Sequence, residues 1–455
     1  MHSQLERLCE QPQHVAVICG GAVSGSEAAA ACVERGMIAV VIEQNPRPYG
    51  KIEDGLPRWH DKLRAQEYER IDANLKLPGV LYVPSTKVGI DLSFERVLKG
   101  WNPSVLLLAN GAWRDRPLPM TSDVDLERAG LVYQNSFVYW FNHYEEPGYS
   151  GPTFAISDNA IIVGGGLASI DVAKIINIEL CRKALRERGI DVSVVDLEHK
   201  GIRDTLGEHH LSPEALGFSG CTIYYRRRVR DMPLASPKSG ATAEQLAKVE
   251  AVREKMVAIL REKFSVRVQD CAMPVSAILD NGKLLGLTFR RTAHQDGKAV
   301  EIEGSDFEAR AELIISSIGS VPEPVAGVPT KGELYDYASW ESGAVRNLGG
   351  VFGLGNVLTG KGNIKDSRIN AREVSDAVIR DYIGLNETRA VTDPLGDAHR
   401  AAKAEASAVV QSAIRRAKVS TEKLENIAHA IEARWSAVGY DGDYASWMDR
   451  NRPLT

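Results

Sequence analysis

Two glycine clusters are the residues best suited to chemistry in this 455-residue chain. Gly20-Gly21-Ala22-Val23-Ser24-Gly25 follows an apolar run, 14–19, and precedes an Ala-rich stretch, 26–35, that stops at Gly36. Glycines between a strand and a helix permit a tight turn and let a pyrophosphate approach the backbone. The helix that follows offers free N–H groups and the positive end of its dipole to the phosphates. Ala22 stands where the central glycine of such a loop belongs, and its methyl narrows the approach. A second apolar run, 38–42, ends at Glu43, about 20 residues past the loop, where a carboxylate accepts bonds from ribose hydroxyls.

The same order starts again in the middle of the chain. Gly164-Gly165-Gly166-Leu167-Ala168-Ser169 follows the apolar run 159–163 and opens a helical pattern over 169–183. Ser169 is small where a third glycine often sits. Asp171, in the first helical turn, reads as an acid that compensates the dipole. Two segments compete to read a ribose here. Val192-Ser193-Val194-Val195 ends near Asp196 and Glu198, which suits a 2′-hydroxyl. Cys221-Thr222-Ile223-Tyr224-Tyr225 ends at Arg226-Arg227-Arg228, which suits a 2′-phosphate, because guanidinium groups grip phosphate through paired hydrogen bonds. The first is nearer the usual spacing.

Elements must hold these loops in place. Two strand–glycine–helix starts, well separated, predict an α/β chain with two Rossmann-like dinucleotide-binding domains. A patterned helix over 243–263 and short strands around 276–279, 285–290 and 313–317 fill the second half, with Asp280-Asn281-Gly282 as a hairpin turn. From 397 to 435 the chain is Ala-rich and charged and predicts two helices, a C-terminal helical extension.

Composition narrows the class. Hydrophobic residues make up 44% and charged residues 25%, as in soluble globular chains. A net charge of -5 argues against nucleic acid as the partner. No apolar run reaches the roughly 18 residues of a membrane span, and the first 14 residues do not read as a secretory signal, so the expected location is cytoplasmic. Six cysteines are scattered without C-x-x-C or metal-ligand spacing, which excludes a closely spaced redox disulfide and a Cys-ligated iron–sulfur cluster. No metal site is expected.

The run Thr222-Ile223-Tyr224-Tyr225-Arg226-Arg227-Arg228 with Asp231-Met232-Pro233 resembles a hallmark of the glutamate synthase small subunit and its relatives, which include adrenodoxin reductase-like ferredoxin–NADP reductases. Four further pieces agree in order: Tyr49-Gly50-Lys51-Ile52 with Gly55-Leu56-Pro57; Leu107-Leu108-Ala109-Asn110-Gly111-Ala112-Trp113 with Arg116-Pro117-Leu118; Ile314-Ile315-Ser316-Ser317-Ile318-Gly319; and Gly353-Leu354-Gly355-Asn356-Val357 with Gly360-Lys361-Gly362-Asn363-Ile364. The resemblance covers about residues 14–385. Asn356, Leu167 and Ala22 depart from the residues usual at their positions, and the iron–sulfur domain that precedes the glutamate synthase subunit has no counterpart.

The resemblance implies an FAD-binding domain in residues 1–150, an NAD(P)-binding domain inserted over 151–322, a return segment of the first domain over 323–390, and the helical extension over 391–455. It implies FAD on the first glycine loop (Gly20, Gly21, Ala22, Ser24, Gly25), Glu43, Gly50, Lys51, Ile52, Asn110, Gly111, Ala112, Trp113, Gly355, Asn356, Gly362, Asn363 and Ile364. It implies NADP, with NAD as the alternative, on Gly164, Gly165, Gly166, Leu167, Ala168 and Ser169. It shifts the 2′-phosphate assignment to Arg226 and Arg227, with an insertion near 179–220 explaining the long spacing.

The expected function is an FAD-dependent NAD(P)H oxidoreductase, with hydride passing from NADPH to the flavin. Electrons would then go to ferredoxin or to another redox protein, an iron–sulfur or flavin partner subunit. Hydride transfer demands no acid–base side chain, so no catalytic residue is named. Backbone N–H groups at 362–364 would stabilise negative charge on the reduced ring. The alternatives are a flavin monooxygenase or oxidase and a non-catalytic FAD-binding relay subunit. The Arg58-Trp59-His60 cluster and the aromatic tail 440–447 are expected to be structural.

Overall fold

The computed structural model describes residues 3–120, 124–237, 240–295, 297–360, 364–385 and 417–452. The chain divides into two units. One contains Met1–Glu53, Lys62–Arg114 and Val321–Thr455; the other contains Asp54–Asp61 and Asp115–Ser320.

The first unit is built on a five-stranded parallel sheet. Its order is Val351–Gly353, Val105–Leu108, Val15–Cys19, Ile38–Ile42, Val80–Val83. The strands are almost wholly buried, which is why they read as continuous apolar runs rather than alternating ones. Val15–Cys19 pairs with Ile38–Ile42 in register Cys19↔Ile42, so the residues that follow, Gly20 and Glu43, emerge side by side. The helix Val23–Val33 packs against Ile364–Ala377, and its row of alanines lets the two backbones come close. Its end is fixed by Gly36, at φ +75°, whose N–H donates to the Val33 carbonyl.

The aromatic tail packs on this same unit. The helices Thr421–Val438 and Tyr444–Arg450 close over its outer strand. Trp435 Nε1 donates to the Tyr82 carbonyl at 2.8 Å and Trp447 Nε1 to the Pro46 carbonyl at 2.7 Å. Tyr82 meets Tyr440 and Tyr444 edge-on. Most of the first helix expected in 397–435 lies outside the described residues.

The second unit has its own five-stranded parallel sheet, ordered Leu131–Tyr133, Ile314–Ser317, Ile161–Gly164, Thr222–Tyr224, Arg267–Gln269. The neighbour of Ile161–Gly164 is therefore Thr222–Tyr224, in register Val163↔Tyr224. The segment around Val192–Val195 does not compete for that place. Ser193 caps a helix, Val194–Lys200, in which Asp196 bonds the cap and Glu198 pairs with Lys174 at 2.5 Å. The near-ideal spacing of Asp196 was a coincidence of a helical insertion.

The helix Ala243–Phe264 begins with a capping box in which Thr242 and Gln245 satisfy each other's backbone N–H. Beside the parallel sheet lies an antiparallel one of Ala272–Asp280, Lys283–Gln295 and Lys298–Arg310. Asn281 and Gly282 both take positive φ between Asp280 and Lys283, as a two-residue hairpin requires. Stacking of Tyr224 on Phe289, centroids 4.1 Å apart, joins the two sheets of this unit. The third strand escapes a search for apolar runs because one face is charged, with Glu301, Asp306 and Glu308.

Arg58, Trp59 and His60 belong to this unit. Trp59 is buried against Phe141. Arg58 lies over the Phe141 and Tyr144 rings and pairs with Glu145, and His60 stands 3.9 Å from Asp171. Among the described residues no helix is long and apolar enough to cross a membrane.

Candidate functional site: two glycine loops

The first loop turns because only glycine fits it. Gly20 has φ +102°, and a β-carbon there would lie 2.6 Å from the Ala109 carbonyl oxygen. A β-carbon on Gly25 would overlap the Gly20 carbonyl, so this third glycine seats the helix on the strand. Ala22 is accommodated because Gly50 faces it: a β-carbon on Gly50 would lie 3.0 Å from that of Ala22. The departure at Ala22 is thus offset by a glycine from another loop.

A cleft with a cavity volume of about 240 Å³ runs along this loop. Gly20, Ala22, Ser24 and Glu43 line it, with Gly50, Lys51 and Ile52. Asn110, Gly111, Ala112, Trp113, Asn356 and Ile364 complete the set of expected residues in its wall. Gly21, Gly25 and Gly355 shape the backbone behind it. Gly362 and Asn363 lie outside the described residues.

Glu43 is buried and accepts the Gly21 N–H at 2.7 Å through Oε2 and the Asn45 N–H at 2.9 Å through Oε1. The acid is fixed at the loop before any ligand arrives. Lys51 Nζ stands 5.8 Å from the centre of the Trp113 ring. Ser24 donates to the Ser367 carbonyl at 3.4 Å. Burial pushes the Cys19 thiol up to about 12, so this cleft residue stays a neutral thiol.

Two orphaned groups test whether a flavin dinucleotide fits. Asn110 Nδ2 donates to the Glu323 carbonyl and to the Tyr335 hydroxyl, and its buried Oδ1 has no partner among the described residues. Asn356 Oδ1 is also buried without a partner among the described residues. Buried amide oxygens left unbonded are costly unless a ligand donor reaches them. Both residues line the cleft, and their unsatisfied acceptors together with the glycine cradle fit a group that carries N–H and O–H donors, as FAD does.

Sequence reasoning missed part of this wall. Thr86, Lys87 and Gly89 come from the loop after the outer strand, and Pro324, Val325 and Ala326 from the start of the return segment. Lys87 pairs with Glu323 at 2.8 Å. No motif or periodicity marks these loops; only their return to the sheet edge does.

The second loop obeys the same rules with different neighbours. A β-carbon on Gly164 would overlap the Ser317 carbonyl, whereas Gly166 is open on its free side. Gly166 caps the helix Leu167–Arg186, and no side-chain cap bonds the helix end among the described residues, which leaves its leading N–H groups for a ligand. Leu167 is half exposed and Ala168 partly so. Ser169 is buried and donates to the Gly166 carbonyl at 2.6 Å, so it tightens the turn.

By register, Tyr225 takes the place that Glu43 holds in the first unit. Arg226 follows, exposed and without a side-chain hydrogen bond or ion pair among the described residues. Arg227 Nε donates to the Tyr225 hydroxyl at 3.0 Å. Arg228 is removed from the contest by a two-point pair with Asp231, at 2.8 and 3.0 Å. Arg226 and Arg227 remain available.

No family model matches the chain. It is 24% identical over 324 residues to the NADPH glutamate synthase small chain of Mycobacterium tuberculosis, covering 70% of this chain and 55% of that one. The chain thus spans about half the length of that relative. It is 22% identical to the mitochondrial NADPH:adrenodoxin oxidoreductase of Arabidopsis thaliana, covering 64% of this chain and 63% of that one. Among solved structures, Mycobacterium tuberculosis FprA in complex with NADPH matches at a TM-score of 0.62 and 19% identity, over 92% of this chain and all of FprA. The chain is a homologue of the glutamate synthase small chain and of the NADPH:adrenodoxin and NADPH-ferredoxin reductases, and it has the α/β fold of FprA.

Proposed function

We propose that the chain is an FAD-dependent oxidoreductase that takes hydride from NADPH and passes the electrons to a separate redox protein, a ferredoxin or an iron–sulfur or flavin partner subunit. The observation that carries this reading is a contrast between two loops of one design. Each follows a parallel strand and opens a helix, but one is flanked by the acid Glu43 and the other by Tyr225-Arg226-Arg227. An acid suits unphosphorylated ribose and arginines suit a 2′-phosphate.

FAD, when bound, accepts the hydride and releases electrons singly or in pairs. The chain's own residues bind and orient. Gly20 and Gly25 shape the pyrophosphate cradle, Glu43 offers a carboxylate at the ribose position, and Asn110 and Asn356 line the cleft. Gly164–Gly166 and the helix end after them would take the second pyrophosphate, with Arg226 and Arg227 on the phosphorylated ribose. The names of the relatives support a ferredoxin-type acceptor. A cytoplasmic location accords with the absence of a membrane-crossing helix among the described residues.

Anaerobic titration of the purified yellow protein with NADPH and with NADH tests the proposal. Bleaching of the flavin by NADPH at stoichiometric concentration, followed by reoxidation on adding ferredoxin, is expected. A colourless protein that takes up no FAD, or a flavin that neither nucleotide bleaches, overturns it.

A further inference from the structure

The second glycine loop carries an aromatic ring where the first carries an acid. Gly21 donates its N–H to Glu43; the corresponding Gly165 is covered instead by Tyr225, whose ring occupies the place of a β-carbon on that glycine. Tyr225 is buried, and its hydroxyl is fully engaged. It donates to the Asp231 carbonyl at 3.0 Å and accepts from Arg227 Nε at 3.0 Å.

These bonds have a consequence for Arg227. Its Nε is tethered at the loop, while its two terminal nitrogens make no hydrogen bond among the described residues. The neighbouring Asp231 is held by Arg228 at 2.8 and 3.0 Å. A guanidinium with one nitrogen pinned and two free is pre-oriented for a dianion, and less rotamer entropy remains to be lost on binding.

We infer that Tyr225 is a positioning residue for nucleotide choice: its hydroxyl aims Arg227 at a 2′-phosphate, and its ring denies the second loop the carboxylate that would serve an unphosphorylated ribose. This rests on the reading that the second unit binds a pyridine nucleotide. Tyr225 touches no reacting atom, so its effect falls on affinity for the phosphorylated nucleotide and not on the rate of hydride transfer.

The test is calorimetric titration of the flavin-loaded protein with adenosine 2′,5′-bisphosphate and with adenosine 5′-monophosphate. Tyr225→Phe keeps the ring over Gly165 and removes only the tether. It is expected to weaken the bisphosphate about tenfold and to leave the monophosphate within about twofold. Arg227→Ala should lose at least as much, and the double variant should lose no more than Arg227→Ala alone, because the hydroxyl acts through Arg227. Arg227→Lys, with Tyr225 intact, should recover little, since an ammonium lacks the pinned fork. In NADPH kinetics Tyr225→Phe should raise KM with kcat unchanged.

Additive losses, or a Tyr225→Phe protein that binds the bisphosphate like its parent, overturn this inference while leaving the NADPH reading in place. Full rescue by Arg227→Lys also overturns it, and this variant does not depend on Tyr225→Phe folding. A parent protein that does not prefer the bisphosphate overturns both.

Discussion

Gly355 faces Ser24 so closely that a β-carbon on it would overlap the Ser24 hydroxyl. The two residues are far apart in the chain, yet the return segment is pressed onto the first turn of the helix that opens the glycine loop. Gly355 holds φ +68° and donates its N–H to Asn370 Oδ1 at 2.6 Å. Gly355→Ala must therefore displace Ser24 and strain its own backbone. The expected cost is about 2 kcal/mol of stability, with a fall in flavin content of the purified protein. Thermal unfolding and the ratio of flavin absorbance to protein absorbance measure both.

Arg226 is exposed and free to meet a ligand. Arg226→Ala should raise the KM for NADPH about tenfold or more, as loss of a charge-assisted bond to phosphate implies. NADH kinetics and thermal stability should not change. Parallel steady-state assays with both nucleotides check this; an unchanged preference removes Arg226 from the site.

His143 is buried with a carboxylate on each ring nitrogen: Asp54 at 3.1 Å from Nε2 and Glu146 at 2.8 Å from Nδ1. Burial alone lowers its pKa, but the bonds to Asp54 and Glu146 outweigh burial and the net shift is upward. A raised pKa in the folded state means that its contribution is complete below the ordinary imidazole value of about 6.5. That contribution is lost as pH rises through the folded-state value. Urea unfolding should show stability falling with pH across that window, and His143→Gln should flatten the dependence. A parent protein whose stability does not fall there contradicts the arrangement.

The C-terminal aromatic tail should carry stability rather than chemistry. Tyr444 donates to Asp72 at 2.7 Å, and Trp447 is buried with its Nε1 bonded. Trp447→Ala should cost about 3–5 kcal/mol, in the range for emptying an aromatic site in a core. Tyr444→Phe should cost about 1–3 kcal/mol, because a buried bond to a charged acceptor is lost. In both, NADPH kinetics of the folded fraction should match the parent. A changed KM with unchanged unfolding would make the tail part of the site.

What the sequence by itself determined was local. A glycine turn is a demand on φ and on the space beside one residue, so Gly20, Gly25 and Gly164 could be read from their flanking strands and helices. So could Glu43, because a short helix of ordinary length separates the two strands that pair. The strand beside Ile161–Gly164 was legible only through resemblance, since a helical insertion separates it from its partner and offers Asp196 as a decoy. Only the tertiary structure decided that Gly50 makes room for Ala22, that Asn110 and Asn356 meet in the wall of one cleft, and that Tyr225 covers Gly165 while holding Arg227. The physical reason is the same in each case. Strand pairing and side-chain approach are settled by packing between distant segments, and no spacing along the chain records which segments will meet.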